Sequence, residues 1–190
     1  MPANLSAADE ERFRLLVEAH QRDVYNLALR MLRDPHAAED ATQDAFLSAY
    51  RHFGALRGDN PKPWLLRIAT NACYDHLRRV ARRPALSLDP SEEEGARGID
   101  VPDPDRGPEE EALVRERERV LSALLMEVPA EFRAVVVLCD VQGLSYEEVA
   151  AATGAGLGTV KSRLSRGRAR LRELLAAHGE LFPLVERHIH

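Results

Sequence analysis

The sequence has 190 residues, of which 45% are hydrophobic and 30% charged, so its composition is that of a folded protein and not of a disordered one. Aromatic residues make up only 5%, and the prominence of Leu, Ala, Arg and Glu favours helices. We find no apolar run long enough for a membrane span and no secretion signal, so we expect a cytoplasmic protein without membrane insertion.

The net charge of −5 conceals a strong division along the chain. Residues 57–85 carry seven Lys and Arg against two Asp, and residues 157–175 carry six against one Glu. Residues 86–118, between them, hold twelve acids against four Arg. Two basic blocks predict two contacts with a polyanion. The alternative is that each block is simply a solvated helix face. Because two such blocks occur, each on a predicted helix, this alternative is the weaker interpretation.

The N-terminal part predicts three helices. Apolar residues at three- and four-residue spacings over 13–31 indicate the first, an amphipathic helix. Asp34-Pro35 supplies an N-cap and a first-turn proline for the second, which runs to about residue 53. The loop 54–63 holds two Gly and two Pro, and a third helix is predicted over 64–83.

A linker and a second helical domain follow. Residues 86–111 are acidic, and four prolines (Pro90, Pro102, Pro104 and Pro108) follow Pro84, a composition that does not fold alone. Helices are predicted over 109–127 and from Pro129 to about Asp140. The expected fold is therefore all-α, with two small helical domains (1–85 and 112–177) joined by the acidic Pro-rich linker and followed by a tail, 178–190.

The C-terminal domain ends in a predicted helix-turn-helix over residues 145–175. Ser145-x-x-Glu148 is a capping box, and residues 153–156 (TGAG) form the turn. The second helix then places Val160, Leu164, Leu171 and Leu175 inward and carries no acid between Lys161 and Arg172. A basic second helix after a short glycine-containing turn is typical of major-groove binding, whereas an ordinary helical hairpin would mix its charges.

Other site chemistries find little support in the residues. Cys73 and Cys139 lie far apart in apolar helical contexts, which indicates two buried reduced thiols. A glycine-rich phosphate loop, a metal-spaced Cys/His cluster and a nucleophile with a partner are all missing, so we expect no enzyme, no metal site and no cofactor.

Two segments resemble a known family. LSYEEVAAATGAGLGTVKSRLSRGRARLRELL resembles the promoter-reading domain of bacterial sigma factors of the extracytoplasmic-function (ECF) class in the sigma-70 family. DPHAAEDATQDAFLSAYRHF and KPWLLRIATNACYDHLRRVARRP are similar to the other conserved domain of that class. The resemblance covers about residues 10–85 and 112–176, in the family's order. It implies a transcription initiation factor that binds core RNA polymerase, directs it to promoters and assists promoter melting.

The resemblance also implies roles for individual residues. The third helix and its preceding loop would read the −10 element with nine residues: Asp59, Asn60, Lys62, Trp64, Arg67, Asn71, Arg78, Arg79 and Arg82. Arg83 would add a phosphate contact. Trp64 would offer a stacking face to a flipped base, but a core position beneath the loop is the alternative. The −35 element would be read by Lys161, Ser162, Arg163, Ser165 and Arg166, with Arg168, Arg170 and Arg133 on the backbone.

The implied partners are core RNA polymerase, promoter DNA and an anti-sigma factor. Asp40, Gln43, Asp44 and Leu47 share one face of the second helix and would bind the clamp coiled coil of the largest polymerase subunit, while the flap would hold the C-terminal domain. The acidic linker would thread through the RNA path of the polymerase. A stand-alone repressor is the rival interpretation, but it has no need of the 40–47 surface or of the basic block at 57–83.

Overall fold

The structure is a computed structural model that describes residues 6–56, 58, 60–82 and 107–178. Its helices are α1 (Ala7–Leu32), α2 (Pro35–His52), α3 (Lys62–Arg82), α4 (Pro108–Met126), α5 (Ala130–Val136), α6 (Tyr146–Thr153) and α7 (Leu157–Ala176). A 3-10 turn, Phe53–Ala55, follows α2, and a π-helical turn, Val137–Val141, extends α5. The predicted all-α class is confirmed. Most of the predicted linker, the end of the tail, Arg57, Asp59 and Arg83 lie outside the described residues.

The N-terminal domain is a bundle of α1, α2 and α3. The predicted start of α2 is confirmed, because the Asp34 side chain accepts a hydrogen bond from the Ala37 N–H at 3.0 Å and Pro35 occupies the first turn. The buried face of α2 consists only of alanines (Ala37, Ala38, Ala41, Ala45 and Ala49). Such small side chains let α1 and α3 approach α2 closely and leave its opposite face to solvent.

The C-terminal domain is built around α7. Both hydrogen bonds of the predicted capping box are present at the start of α6, and Gly154 ends that helix in the left-handed conformation with φ 67°. Val160, Leu164, Leu171 and Leu175 are all buried, as predicted. Gly167 is buried as well, and a Cβ added there would lie 2.7 Å from Val136 Cγ2. The missing side chain therefore allows α7 to lie directly against α5.

The helix bounds differ from the sequence-based ones in two places. α3 begins at Lys62, two residues before its predicted start at Trp64. Pro63 is tolerated there because the N–H groups of the first turn make no hydrogen bond within the helix. α4 begins at Pro108, inside the stretch 86–111 assigned to the linker, with Gly107 as its N-cap residue.

The two domains pack against each other. α6 lies against α3, while α4, α5 and the π-helical turn contact α1. Within the described ranges, no helix has the length and apolar character that a membrane crossing requires. The same part of the chain holds no cluster of three or more His, Cys, Asp or Glu side chains suited to a metal ion.

Candidate nucleic-acid interface

The exposed side of α7 carries a row of polar and basic side chains. The buried stripe of Val160, Leu164 and Leu171 fixes which side of the helix faces inward. Four of the five residues expected to read the −35 bases then lie exposed: Lys161, Ser162, Ser165 and Arg166. Arg170, expected on the backbone, is exposed as well. Lys161 and Arg166 form no ion pair with any acid of the described residues, so their charges are available to an external anion.

Three other arginines of α7 are held by acids of the same domain. Arg163 Nη2 lies 3.0 Å from Glu131 Oε2 of α5. Arg168 binds Asp140 through two hydrogen bonds of 3.0 and 2.5 Å, which raise the pKa of the Arg168 guanidinium. Arg170 lies 3.7 Å from Glu127 and 3.4 Å from Glu173. These pairs fix the arginine stems while leaving part of each guanidinium exposed.

A cleft of about 380 Å³ lies between α6 and α7. Its lining includes Tyr146, Lys161, Ser165, Arg168 and Arg172. Tyr146 and Arg172 were not selected from the sequence, because Tyr146 lies on the preceding helix and only the fold brings it to α7. The cleft presents one phenol, one hydroxyl and three cations to the same small volume, a composition that suits a phosphodiester.

Arg133 does not lie on this surface. Its side chain is only 4% exposed, and Nη1 donates a hydrogen bond to the Met31 carbonyl of α1 at 2.7 Å and contacts Met126 Sδ. Burial lowers the pKa of this guanidinium. In the packed arrangement Arg133 is therefore inaccessible to a DNA phosphate, contrary to the expectation from sequence, because the interface between the domains covers it.

The predicted −10 residues spread along α3 and its approach. Six of them are exposed: Asn60, Arg67, Asn71, Arg78, Arg79 and Arg82. Trp64 is half-buried and packs against the core. This position corresponds to the alternative given above, a core residue beneath the loop. Asp59 lies outside the described residues.

Asn60, just before α3, and Lys62, its first residue, contact neighbouring helices. The Asn60 amide donates to Glu148 of α6 at 3.3 Å, and Lys62 Nζ lies 3.3 Å from Asp23 of α1. In the packed arrangement the beginning of α3 is therefore tied to both neighbouring helices.

The outer face of α2 is acidic with one apolar residue. Asp40, Gln43, Asp44 and Leu47 are all exposed, and Leu47 retains 50% of its surface. Asp44 Oδ2 also lies 3.4 Å from Arg79 of α3. The structure thus brings the four predicted residues together on one accessible surface.

Comparison with known proteins agrees with this division into two domains. Residues 16–83 match Sigma-70 region 2, and residues 118–171 match Sigma-70, region 4. The ECF RNA polymerase sigma factor SigM of Mycobacterium tuberculosis is 40% identical over 171 residues, which span 89% of this chain and 80% of that protein. The chain belongs to the ECF RNA polymerase sigma factors.

Two further similarities extend this assignment. The ECF sigma factor SigE of Mycolicibacterium smegmatis is 42% identical over 163 residues, covering 86% of this chain and 61% of that protein. The sigma factor RpoE of Bartonella quintana, solved with the anti-sigma factor NepR, superposes with a TM-score of 0.65 at 25% identity, covering 87% of this chain and 98% of RpoE. As an ECF sigma factor, the chain is a promoter-specific transcription initiation factor that acts with RNA polymerase, and it is not an enzyme.

Proposed function

We propose that this ECF sigma factor reads the −35 element with α7 and the −10 element with α3, and that it assists melting at the −10 element. The observation that carries the proposal is the exposed row Lys161, Ser162, Ser165 and Arg166 on the second helix of a capped helix-turn-helix. A basic second helix in this motif enters the major groove with its N-terminal half.

At the −35 element, Arg166 and Lys161 are the strongest candidates for base edges. Both are exposed and unpaired within the described residues, and Arg or Lys can donate two hydrogen bonds to guanine O6 and N7. Arg168 and Arg170 contact the backbone in this proposal. Arg163, which the resemblance places among the base-reading residues, is assigned to the backbone as well because Glu131 holds its guanidinium. Tyr146 and Arg172 add a phosphate contact in the cleft.

At the −10 element, α3 offers phosphate contacts along its length through Arg67, Arg78, Arg79 and Arg82. Asn71 lies on the same helix and is exposed, so its amide is available to a base edge. Capture of a base on the approach to α3 falls to Asp59 and Asn60, with Lys62 close by. Trp64 supports that approach from below, since its side chain is half-buried and packs against the core.

The outer face of α2 is the proposed contact with the clamp coiled coil of the polymerase. Its acids, Asp40 and Asp44, share this face with the exposed side chain of Leu47, a combination that suits a basic partner with an apolar contact. The flap would hold the C-terminal domain, and we place the protein in the cytoplasm because RNA polymerase acts there. We also propose an anti-sigma partner, supported by the similarity to RpoE, which was solved with one.

In vitro transcription with purified core polymerase and a randomised promoter library tests the proposal. We expect initiation to depend on this protein and the initiating templates to share two sequence blocks about 25 base pairs apart. The proposal fails if the protein binds duplex DNA tightly by itself but adds no initiation, which is the behaviour of a repressor.

A further inference from the structure

Leu157 is an exposed apolar residue at the beginning of the basic helix α7. It is the first residue of that helix, and 38% of its surface is accessible, although the burial of a leucine side chain is favourable. Residues four positions apart share one face of a helix, so Leu157 lies on the same face as Lys161 and Ser165. It therefore extends the exposed row of α7 by one turn towards the N-terminus.

The residues on both sides of Leu157 are glycines. Gly156 is the N-cap residue of α7, and a Cβ added there or at Gly158 would meet nothing within 4 Å. The Leu157 side chain is therefore not screened by its two neighbours in the chain. Glycine also allows a backbone to approach a ligand closely, so the first turn of α7 can bring the leucine methyl groups to the floor of a groove.

The position of Leu157 on α7 limits which base pair it can face. The first turns of a recognition helix lie nearest the base edges of the major groove. Four residues of a helix rise by about 6 Å, and consecutive base pairs are separated by about 3.4 Å. Leu157 therefore faces a base pair within about two steps of the pair that Lys161 contacts.

The chemistry of leucine limits which base it can recognise. Its side chain has no hydrogen-bonding atom, and the only apolar group that a base presents in the major groove is the C5-methyl group of thymine. Contact with that methyl group buries apolar surface on both partners. Contact with the N4 amino group of cytosine would instead remove water from a donor without replacing the hydrogen bond, which is unfavourable.

We propose that Leu157 reads a thymine of the −35 element through its C5-methyl group. The inference rests on the proposed function, because it requires α7 to lie in the major groove. It assigns two kinds of readout to one helix: Lys161 and Arg166 form hydrogen bonds, and Leu157 makes an apolar contact. Leu157 then determines specificity at one position, because it favours thymine and disfavours cytosine.

Replacement of thymine by uracil tests this contact, because uracil lacks only the methyl group. The holoenzyme, assembled from core polymerase and the full-length protein, is bound to promoter fragments that carry the upstream block selected from the randomised library. Each thymine of that block, on either strand, is replaced by uracil in turn. We expect one position at which uracil weakens binding about fourfold, the effect of removing one buried methyl group.

A double-mutant cycle separates the leucine contact from other effects of the methyl group on the duplex. Leu157→Ala should bind the thymine fragment more weakly than wild type and should bind the uracil and thymine fragments equally well. Leu113→Ala is the matched control, since Leu113 is a leucine of the same domain with 42% of its surface exposed on α4. This control should retain the full fourfold response to uracil.

An upstream block without an A·T pair, or one in which every uracil substitution is neutral, would overturn the assignment, and neither result depends on a variant. A fourfold loss that persists in Leu157→Ala would also overturn it, because another residue would then read the methyl group. In each of these cases the wild-type holoenzyme still selects an upstream block, so only this inference fails. If the wild-type holoenzyme selects no upstream block, the proposed function itself is rejected.

Discussion

α3 and α7 each belong to a block with the same surplus of positive charge, yet the fold treats their arginines differently. On α3, Arg67 and Arg82 are exposed without an ion pair among the described residues, while Arg78 pairs with Asp75 one turn away. On α7, Arg163 and Arg168 bind acids that come from α5 and from the π-helical turn. Among the described residues, three arginines of α7 (Arg163, Arg168 and Arg170) bind acids outside their own helix, whereas on α3 only Arg79 does, through Asp44 of α2.

This difference suits two kinds of nucleic acid. Reading duplex base edges requires a recognition helix in a fixed position, because paired hydrogen bonds tolerate little displacement. The ion pairs of Arg163, Arg168 and Arg170 hold α7 in place for Lys161 and Arg166. Phosphate contacts and single-strand capture tolerate mobile side chains, since charge attraction and stacking depend less on geometry. We therefore expect changes that disturb the position of α7 to damage −35 reading more than comparable changes on α3 damage −10 reading.

The close contact between α7 and α5 should give the largest effect on stability. Gly167→Ala places a Cβ 2.7 Å from Val136 Cγ2 and 3.2 Å from the Phe132 carbonyl, which overpacks the contact. Gly158→Ala on the same helix meets open space and gains helix propensity. We expect the free energies of unfolding of the two variants, measured in denaturant, to differ by about 2 kcal/mol. Equal free energies of unfolding would contradict this prediction, because they would mean that α5 shifts to accommodate the added methyl group at little cost.

Replacing Arg166 should have a smaller effect, which is limited to DNA binding. Arg166→Ala should weaken binding to a −35 duplex by about 1–2 kcal/mol, because it removes an exposed cation from the groove-facing row. Fluorescence anisotropy over a range of salt concentrations distinguishes the kind of contact: a phosphate contact lowers the salt slope by about 0.9, and a base contact relaxes the sequence preference. Arg67→Ala on α3 is the matched control and should leave this duplex binding unchanged.

Leu47 offers a comparable test on polymerase. Leu47→Ala should weaken core polymerase binding by about 1 kcal/mol through lost apolar contact, without affecting folding, because the side chain is half exposed. Leu15→Ala on α1 removes an equally exposed leucine, with 52% of its surface accessible, and should have no effect on that binding. If both variants bind polymerase alike in a competition assay, the α2 face is not the contact.

The helix caps of the C-terminal domain should give the smallest effects. Ser145→Ala removes the hydroxyl that accepts the Glu148 N–H and should lower the free energy of unfolding by about 1 kcal/mol. Gly156→Ser adds a side-chain cap where α7 has none and should stabilise by a few tenths of a kcal/mol. Melting temperatures that move in the same direction for both variants would contradict this reading of the caps.

The local signals in the sequence predicted the helices well. Asp34-Pro35, the capping box at Ser145 and the buried leucines of α7 all act within a few residues of one another, and each is present in the structure. The polar residues of α7 and the acidic face of α2 could be located for the same reason, because helical spacing decides which side chains share a face.

Contacts between distant segments could not be predicted in this way. Arg133 bonds to a carbonyl 102 positions earlier, so its pattern of neighbours suggested a surface residue. The absence of acids between Lys161 and Arg172 likewise gave no sign of ion pairs, although Glu131 and Asp140 bind arginines 32 and 28 positions away. Gly167 is a poor helix former whose role emerges only when α5 lies against it.

The central claim is that α3 and α7 read separate blocks of one promoter. Sequencing the templates that initiate from a randomised library tests it directly, with wild type, Arg166→Ala and Asn71→Ala compared side by side. We predict that Arg166→Ala alters only the upstream block and Asn71→Ala only the downstream block. Loss of preference in both blocks with either variant, or no change with both, would contradict the account.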